Sequence, residues 1–141
     1  MSLTRPSIDR DSWDAHWEQY AESARANPAQ EYRRRLVFSW LDLPTTHHSP
    51  VRVLDIGSGQ GDFAAELKRS YPQIDILGLE LSRSGVEISR EKVPNATFLE
   101  TNLLESALPP PQFRGWATHA VCSEVLEHVD DPRQFLLQDR I

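Results

Sequence analysis

The chain has 141 residues, of which 26% are charged and 39% hydrophobic, and its formal net charge at pH 7 is −6. This length predicts one domain with one core, and the acidic balance argues against a nucleic-acid-binding surface, which is usually basic. A single cysteine, Cys122, excludes an internal disulfide, and its apolar surroundings suggest a buried thiol. No apolar run of about 18 residues suggests a membrane span, so we expect a cytoplasmic protein without membrane or nucleic-acid partners.

Residues 1–50 are expected to form helices that pack on the domain after them. Trp13, Trp17 and Tyr20 recur at helical spacing, and such an aromatic stripe more often packs in a core than binds a ligand. A second helix is predicted after Asn27, which can cap it, because a proline suited to the first helical turn follows directly.

This second helix has two different sides. The apolar side carries Tyr32, Leu36 and Trp40, with Val37 and Leu41 beside them. The three consecutive arginines at 33–35 fall mostly on the other side. They could contact a phosphate, but a solvated helix face is the commoner explanation, and we favour it.

Residues 51–61 read V-R-V-L-D-I-G-S-G-Q-G and are the most informative stretch of the chain. The apolar, partly β-branched residues at 51–56 predict a buried parallel strand. Alternating glycines after a strand let the backbone turn sharply and approach a ligand, because no Cβ intrudes. A helix is predicted next, and Asp62 can cap it. A strand, a glycine-rich turn and a helix N-terminus predict the nucleotide crevice of an open α/β sheet.

The spacing of the glycines argues against a dinucleotide. The dinucleotide fingerprint places glycines at its first, third and sixth positions, and the sixth position counted from Gly57 is Asp62. A carboxylate there would repel a pyrophosphate. A zwitterionic amino-acid tail suits this turn better.

Three further strands are predicted after the glycine turn, at about 74–80, 96–99 and 118–123. Glu80 ends the second strand of the resulting βαβ unit. An acidic residue at that position is placed to accept hydrogen bonds from both ribose hydroxyls. The fold class predicted from these elements is α/β, with parallel strands and flanking helices.

Three motifs together resemble those of the class I S-adenosylmethionine-dependent methyltransferases, in the branch that acts on small molecules. The segment from Asp55 to Gly61 matches the family's first motif, Glu80 matches its ribose-binding acid, and residues 121–129 look like its fourth-strand motif. The similarity covers roughly residues 51–132. It implies a Rossmann-like sheet in a cofactor-binding core at 51–141, with S-adenosylmethionine as the cofactor.

The resemblance also implies roles for individual residues. Asp55 would contact the methionine amino group, Gly57 and Gly59 would lie against the methionine moiety, and Glu80 would hold the ribose. Asn102 stands where the family usually has the adenine-binding aspartate, and its amide oxygen can still accept a hydrogen bond. The cofactor-binding residues implied in this way are Asp55, Gly57, Ser58, Gly59, Gly61, Glu80, Leu81, Asn102, Leu103 and Ser123. By the same resemblance, Tyr20 is a candidate lid residue.

A metal site is an alternative reading of the segment after the fourth strand. If this segment is helical, Glu124, Glu127 and His128 share one face, and two carboxylates with an imidazole can bind a divalent cation. We favour instead a loop that Glu127 and His128 fix by hydrogen bonds, with Ser123 and Glu124 flanking the cofactor and no metal. Glu124 or His128 could also deprotonate a hydroxyl acceptor, but no residue pattern identifies a catalytic residue.

The length of the chain limits the functional prediction. Members of the resembling family are longer, so the sequence looks truncated after the fourth strand, which would leave that strand as an apolar edge. We expect a homodimer that covers this edge. The predicted function is methyl transfer to a small-molecule acceptor, at oxygen or carbon. The alternatives are a cofactor-binding or interaction module without activity and, less favoured, an NAD-dependent dehydrogenase domain.

Overall fold

A computed structural model describes residues 27–43, 50–102 and 111–138. Its elements in chain order are α1 (Pro28–Trp40), β1 (Arg52–Ile56), α2 (Asp62–Ser70), β2 (Asp75–Glu80), α3 (Arg83–Lys92), β3 (Thr97–Glu100), β4 (His119–Cys122) and α4 (Pro132–Gln138). Single 3-10 turns at Pro111–Phe113 and Leu126–His128 flank β4. The predictions for Trp13, Trp17, Tyr20 and Leu103 concern residues outside these ranges.

The described strands form one parallel sheet of four strands in the order β3-β2-β1-β4. Leu54 on β1 is the register partner of Leu77 on β2 and of Ala120 on β4. All four strands lie within two residues of the predicted positions, and the parallel α/β class is confirmed. Within the described sheet, β4 forms one edge, as predicted.

Both faces of the sheet are covered, which explains why its central strands are apolar almost throughout. On one face the buried core includes Val53, Leu67, Ile76, Val86 and Phe98, with α1, α2 and α3 packed over it. On the other face Leu54, Ile56, Leu77, Leu79 and Phe135 are buried together, and α4 contributes the last of these. Neighbouring residues of β1 therefore enter opposite halves of the core, as the alternation of side chains along a strand requires.

In helix α1, one residue caps the N-terminus and a different set of residues packs against the core. The Asn27 side chain accepts a hydrogen bond from the backbone N–H of Ala29 at 3.0 Å, which confirms the predicted cap. Val37 and Phe38 pack against the core, whereas Tyr32 and Trp40 are 65% and 76% exposed. The apolar side is therefore shifted round the helix from the Tyr32–Trp40 line that the sequence suggested.

Two local predictions are wrong. The N-cap of α2 is Gly61 in a left-handed conformation, so Asp62 is the first helical residue and makes no cap bond to the helix. The carboxylate of Asp62 instead contacts the ammonium of Lys92 at 2.8 Å. The Cys122 thiol, predicted to be buried, is only half-buried, because Cys122 is the last residue of the edge strand β4 and packs at the periphery of the core.

No helix within the described ranges is both long and apolar enough to cross a membrane.

Candidate cofactor site

The glycine turn lies at the carboxyl edge of the sheet, between β1 and α2. Its three glycines all have left-handed backbone conformations, with φ of 74° at Gly57, 55° at Gly59 and 78° at Gly61. The backbone N–H groups of Gly57 and Ser58 donate to the carbonyl of Leu79 at 2.8 and 3.1 Å, so β2 anchors the start of the turn. Left-handed φ at alternate residues explains the glycine spacing.

At the first glycine the turn is also crowded. A Cβ on Gly57 would overlap Cγ2 of Val125, which follows β4. Strands β1 and β4 therefore end close together, and the absence of a side chain at Gly57 allows their following segments to meet. This contact places Ser123 and Glu124 beside the turn, because both precede Val125 directly.

The Glu80 carboxylate supports the turn from the end of β2. Its Oε2 accepts the N–H of Gly59 at 2.8 Å, and its Oε1 accepts the N–H of Ser82 at 2.9 Å. The residue is only 8% exposed, so these bonds to an ionised acceptor lie in a region of low dielectric. They fix the orientation of the carboxylate relative to the turn.

Asp55 is the second buried carboxylate of the site. It is 4% exposed, and its Oδ2 has no hydrogen-bond partner among the described residues. Burial raises the pKa of Asp55 to about 7, and the neighbouring charge of Glu80 adds to the rise. The hydroxyl of Ser58, in the turn that follows β1, is likewise buried and unpartnered within the described ranges. Buried polar atoms without partners are rare in proteins, and two of them at the end of β1 and the start of the turn suit a polar ligand.

A cleft opens between the glycine turn and α1. The residues that line it are Gln30, Arg33, Arg34, Val37, Asp55, Gly57, Ser58, Gly59, Gln60, Asp62, Phe63, Val121, Ser123 and Glu124. Two ion pairs tie α1 to the domain there. Arg33 contacts Glu124 at 2.5 Å, and Arg34 contacts Glu66 at 3.2 Å. The cleft therefore places a buried carboxylate at its base and guanidinium groups on its wall.

The structure brings some of the predicted cofactor residues together but not all of them. Those that line the cleft are Asp55, Gly57, Ser58, Gly59 and Ser123. Glu80 lies beneath, bonded to Gly59, while Gly61 packs against Ser89. Leu81 and Asn102 are half-buried and do not line the cleft. Leu81 directly follows β2, and Asn102 is the second residue after β3.

The arrangement required for the alternative metal site is absent. Glu124 has a left-handed φ of 58° and precedes the 3-10 turn, which contains only Leu126–His128. Glu124 therefore does not share a helical face with Glu127 and His128. Within the described ranges, no three acidic, histidine or cysteine side chains lie close enough to hold a metal ion.

Sequence reasoning missed the role of the arginines on α1. Arg33 and Arg34 were interpreted as a solvated face, yet both line the cleft and pair with acids far away in the chain. No local pattern marks this pair, because Arg33 faces Glu124 only when α1 packs across the carboxyl edge of the sheet. Arg35 agrees with the solvated reading, since its partner at 2.5 Å is Glu31 on the same helix.

Comparison with known proteins fits this architecture. Residues 29–138 match the profile of a family described as methyltransferase domain. The chain belongs to this family. A trans-aconitate 2-methyltransferase of Rhodopseudomonas palustris is 32% identical over 99 residues, which cover 69% of this chain and 34% of that protein. The chain thus spans about a third of the length of this relative.

Solved structures of methyltransferases share the fold. A TehB-like SAM-dependent methyltransferase from Corynebacterium glutamicum superposes with a TM-score of 0.59 at 20% identity, covering 88% of this chain and 65% of that one. The plantazolicin methyltransferase BamL, solved with S-adenosylhomocysteine (SAH), gives 0.51 at 25% identity, covering 69% and 38%. The methyltransferase domain described here therefore has the Rossmann-like sheet that the sequence predicted.

Proposed function

We propose that this domain binds S-adenosylmethionine at the glycine turn and belongs to an enzyme that transfers its methyl group to a small molecule. The observation that carries this proposal is the buried Asp55, whose Oδ2 lacks a partner among the described residues at the base of a cleft walled by glycine backbone. A ligand ammonium would supply the missing partner, and the methionine end of the cofactor has one. Membership of the methyltransferase domain family supports the choice of ligand.

The residues of the cleft complement a zwitterionic tail. Asp55 would accept from the ammonium, and its carboxylate would then be ionised because a positive charge stabilises it. The guanidinium of Arg33 lies on the opposite wall and carries the charge that a ligand carboxylate requires. Gly57 and Gly59 would let the ligand approach the backbone between these two charges.

The rest of the cofactor would extend towards the ends of β2 and β3. Glu80 would accept hydrogen bonds from the ribose hydroxyls, with Leu81 beside it, and Asn102 with Leu103 would contact the adenine. When bound, the cofactor supplies an activated methyl group on a sulfonium. The chain's own task is then to orient the acceptor and to exclude water.

The acceptor is proposed to be a small molecule that reacts through oxygen or carbon. The related enzyme from Rhodopseudomonas palustris is named for trans-aconitate, which supports a small acceptor. Of the two possible bases, Glu124 lines the cleft, whereas His128 is exposed and does not. Glu124 is therefore the better placed of the two residues, and it would accept a proton from a hydroxyl once its partner Arg33 turns to the ligand carboxylate. A cytoplasmic location stays a prediction.

Glu80→Gln tests the cofactor site directly, with Glu100→Gln as its control. Glu100 is the register partner of Glu80 on β3 but is exposed. We expect Glu80→Gln to weaken SAH binding by about 10-fold to 100-fold in calorimetry, because it removes charge-assisted hydrogen bonds. Glu100→Gln is expected to bind as the wild type does. Equal affinities for Glu80→Gln and the wild type would contradict the proposal.

A second candidate function is an interaction module without catalytic activity. In the described sheet β4 pairs with β1 alone, so its outer backbone edge can accept another strand. We propose that a second copy of this chain covers that edge. Sedimentation equilibrium over a wide concentration range tests this: a reversible dimer is expected, and a monomer throughout would overturn it. SAH binding without methyl transfer to any acceptor would favour this second function.

A further inference from the structure

Helix α3 contacts the glycine turn from outside the cleft. The hydroxyl of Ser89 donates to the carbonyl of Gly59 at 3.1 Å, and the ammonium of Lys92 donates to the carbonyl of Gln60 at 2.7 Å. Neither Ser89 nor Lys92 lines the cleft. Two successive carbonyl groups of the turn are therefore held from behind by one helix.

Lys92 also connects the turn to the start of α2. Its ammonium lies 2.8 Å from Oδ1 of Asp62, and Oδ2 of the same carboxylate accepts from the side-chain amide of Gln60 at 2.8 Å. The Lys92 and Asp62 side chains are only 19% and 25% exposed, so water screens this pair little. One ammonium thus joins a backbone carbonyl, a carboxylate and, through it, a side-chain amide.

These contacts restrict a segment that would otherwise be mobile. A turn with left-handed residues at 57, 59 and 61 contains the most flexible residue type at each of these positions, and ordering it costs conformational entropy. A turn that is already held in its bound conformation does not incur that cost when the ligand binds. The ion pair with Lys92 also neutralises Asp62, so the repulsion of phosphate that the sequence suggested is weaker than expected.

We propose that Lys92 is a positioning residue for cofactor binding, which preorganises the glycine turn through the Gln60 carbonyl and the Asp62 carboxylate. It acts through Gln60 and Asp62, which line the cleft, and does not itself line the cleft. This inference rests on the proposed placement of S-adenosylmethionine at the turn.

The test compares Lys92→Met with Lys68→Met. Lys68 on α2 makes a similar bond, from its ammonium to the Ile74 carbonyl at 2.5 Å. Ile74 directly precedes β2, so this bond lies at the amino ends of the strands, whereas the turn lies at their carboxyl ends. Both variants lose a lysine-to-carbonyl bond, and Lys92→Met also loses the ion pair with Asp62, so we expect it to lower the urea midpoint of unfolding at least as much as Lys68→Met does. Only Lys92→Met is expected to weaken SAH binding in calorimetry, by about 10-fold or more, the scale of one lost hydrogen bond to a charged group.

Conservative variants separate positioning from general stability. Lys92→Arg keeps the charge and several donors and is expected to recover SAH affinity to within about 3-fold of the wild type. Lys92→Gln keeps a polar side chain without the charge and is expected to bind weakly, which preserves the test if Lys92→Met does not fold. Wild-type affinity in Lys92→Met or Lys92→Gln, or an equal loss in Lys68→Met, would overturn the inference. A wild-type chain that does not bind SAH would instead overturn the proposed function.

Discussion

Asp55→Asn is expected to stabilise the ligand-free protein at neutral and higher pH while it weakens cofactor binding. The pKa of Asp55 is raised from 3.8 to about 7, first by burial and then by the charge of Glu80. Between these two values the unfolded chain releases a proton that the folded chain retains. Folding stability therefore falls as pH rises from about 4 to about 7 and stays reduced above that range.

The size of this effect has an upper bound. A pKa difference of about three units corresponds to about 4 kcal/mol of unfolding free energy at about 1.4 kcal/mol per unit. The amide that replaces the carboxyl group would also be buried, so the measured gain is expected to be about 1–3 kcal/mol. Urea unfolding followed by tryptophan fluorescence at pH 5 and pH 8 measures it, with the larger gain expected at pH 8.

The control for this experiment is Asp75→Asn. Asp75 begins β2 and is exposed, so neutralising it removes a similar charge without relieving burial. Its effect on stability is expected to stay within about 0.5 kcal/mol at both pH values, as for ordinary surface substitutions. The account is contradicted if Asp55→Asn gains no stability at pH 8, or gains equally at both pH values. A buried carboxylate that lowers folding stability but binds the ligand is an example of the common compromise between stability and function.

Gly61→Ala is expected to destabilise the fold strongly and to abolish cofactor binding. Gly61 has φ of 78°, which costs an alanine about 1–2 kcal/mol. A Cβ there would also lie 2.9 Å from the hydroxyl oxygen and 3.2 Å from the Cα of Ser89, and the backbone of α3 cannot move aside cheaply. Overpacking of this kind adds about 1–3 kcal/mol.

Gly115→Ala is a matched control because it isolates the conformational cost. Gly115 has φ of 64°, and a Cβ there would meet nothing within 4 Å. The difference in unfolding free energy between the two variants therefore measures the contact between the turn and α3, and we expect about 1–3 kcal/mol. SAH affinity should be unchanged in Gly115→Ala. Equal destabilisation by the two substitutions would show that the turn does not pack tightly on α3.

The sheet could be predicted because its determinants are local. Apolar runs such as the one at 51–56 identify the strands, and alternating glycines after the first of them identify the turn, since both patterns extend over only a few residues. The acid at the end of β2 could be placed for the same reason. Its actual hydrogen bonds, to Gly59 and Ser82, required the structure.

The contacts that the sequence did not reveal are all long-range. The pairs Arg33–Glu124 and Lys92–Asp62 join residues on different elements, and a single sequence gives no sign of which charges meet. The helix that the alternative metal site required is excluded for a local reason: Glu124 adopts a left-handed conformation that ends any helix through it. The cap of α2 was misassigned by one residue, because Gly61 satisfies the turn geometry that Asp62 was expected to provide.

Binding of the cofactor ammonium to Asp55 is tested by calorimetric titration of the wild-type chain with SAH near pH 6, repeated in buffers with different ionisation enthalpies. Asp55, with a pKa of about 7, is mostly protonated in the free protein at that pH. The ammonium of SAH would ionise it, so we expect one bound SAH and release of about one proton, and Asp55→Asn should eliminate this release. Absence of SAH binding, or binding without proton release, would contradict the placement of the cofactor on Asp55.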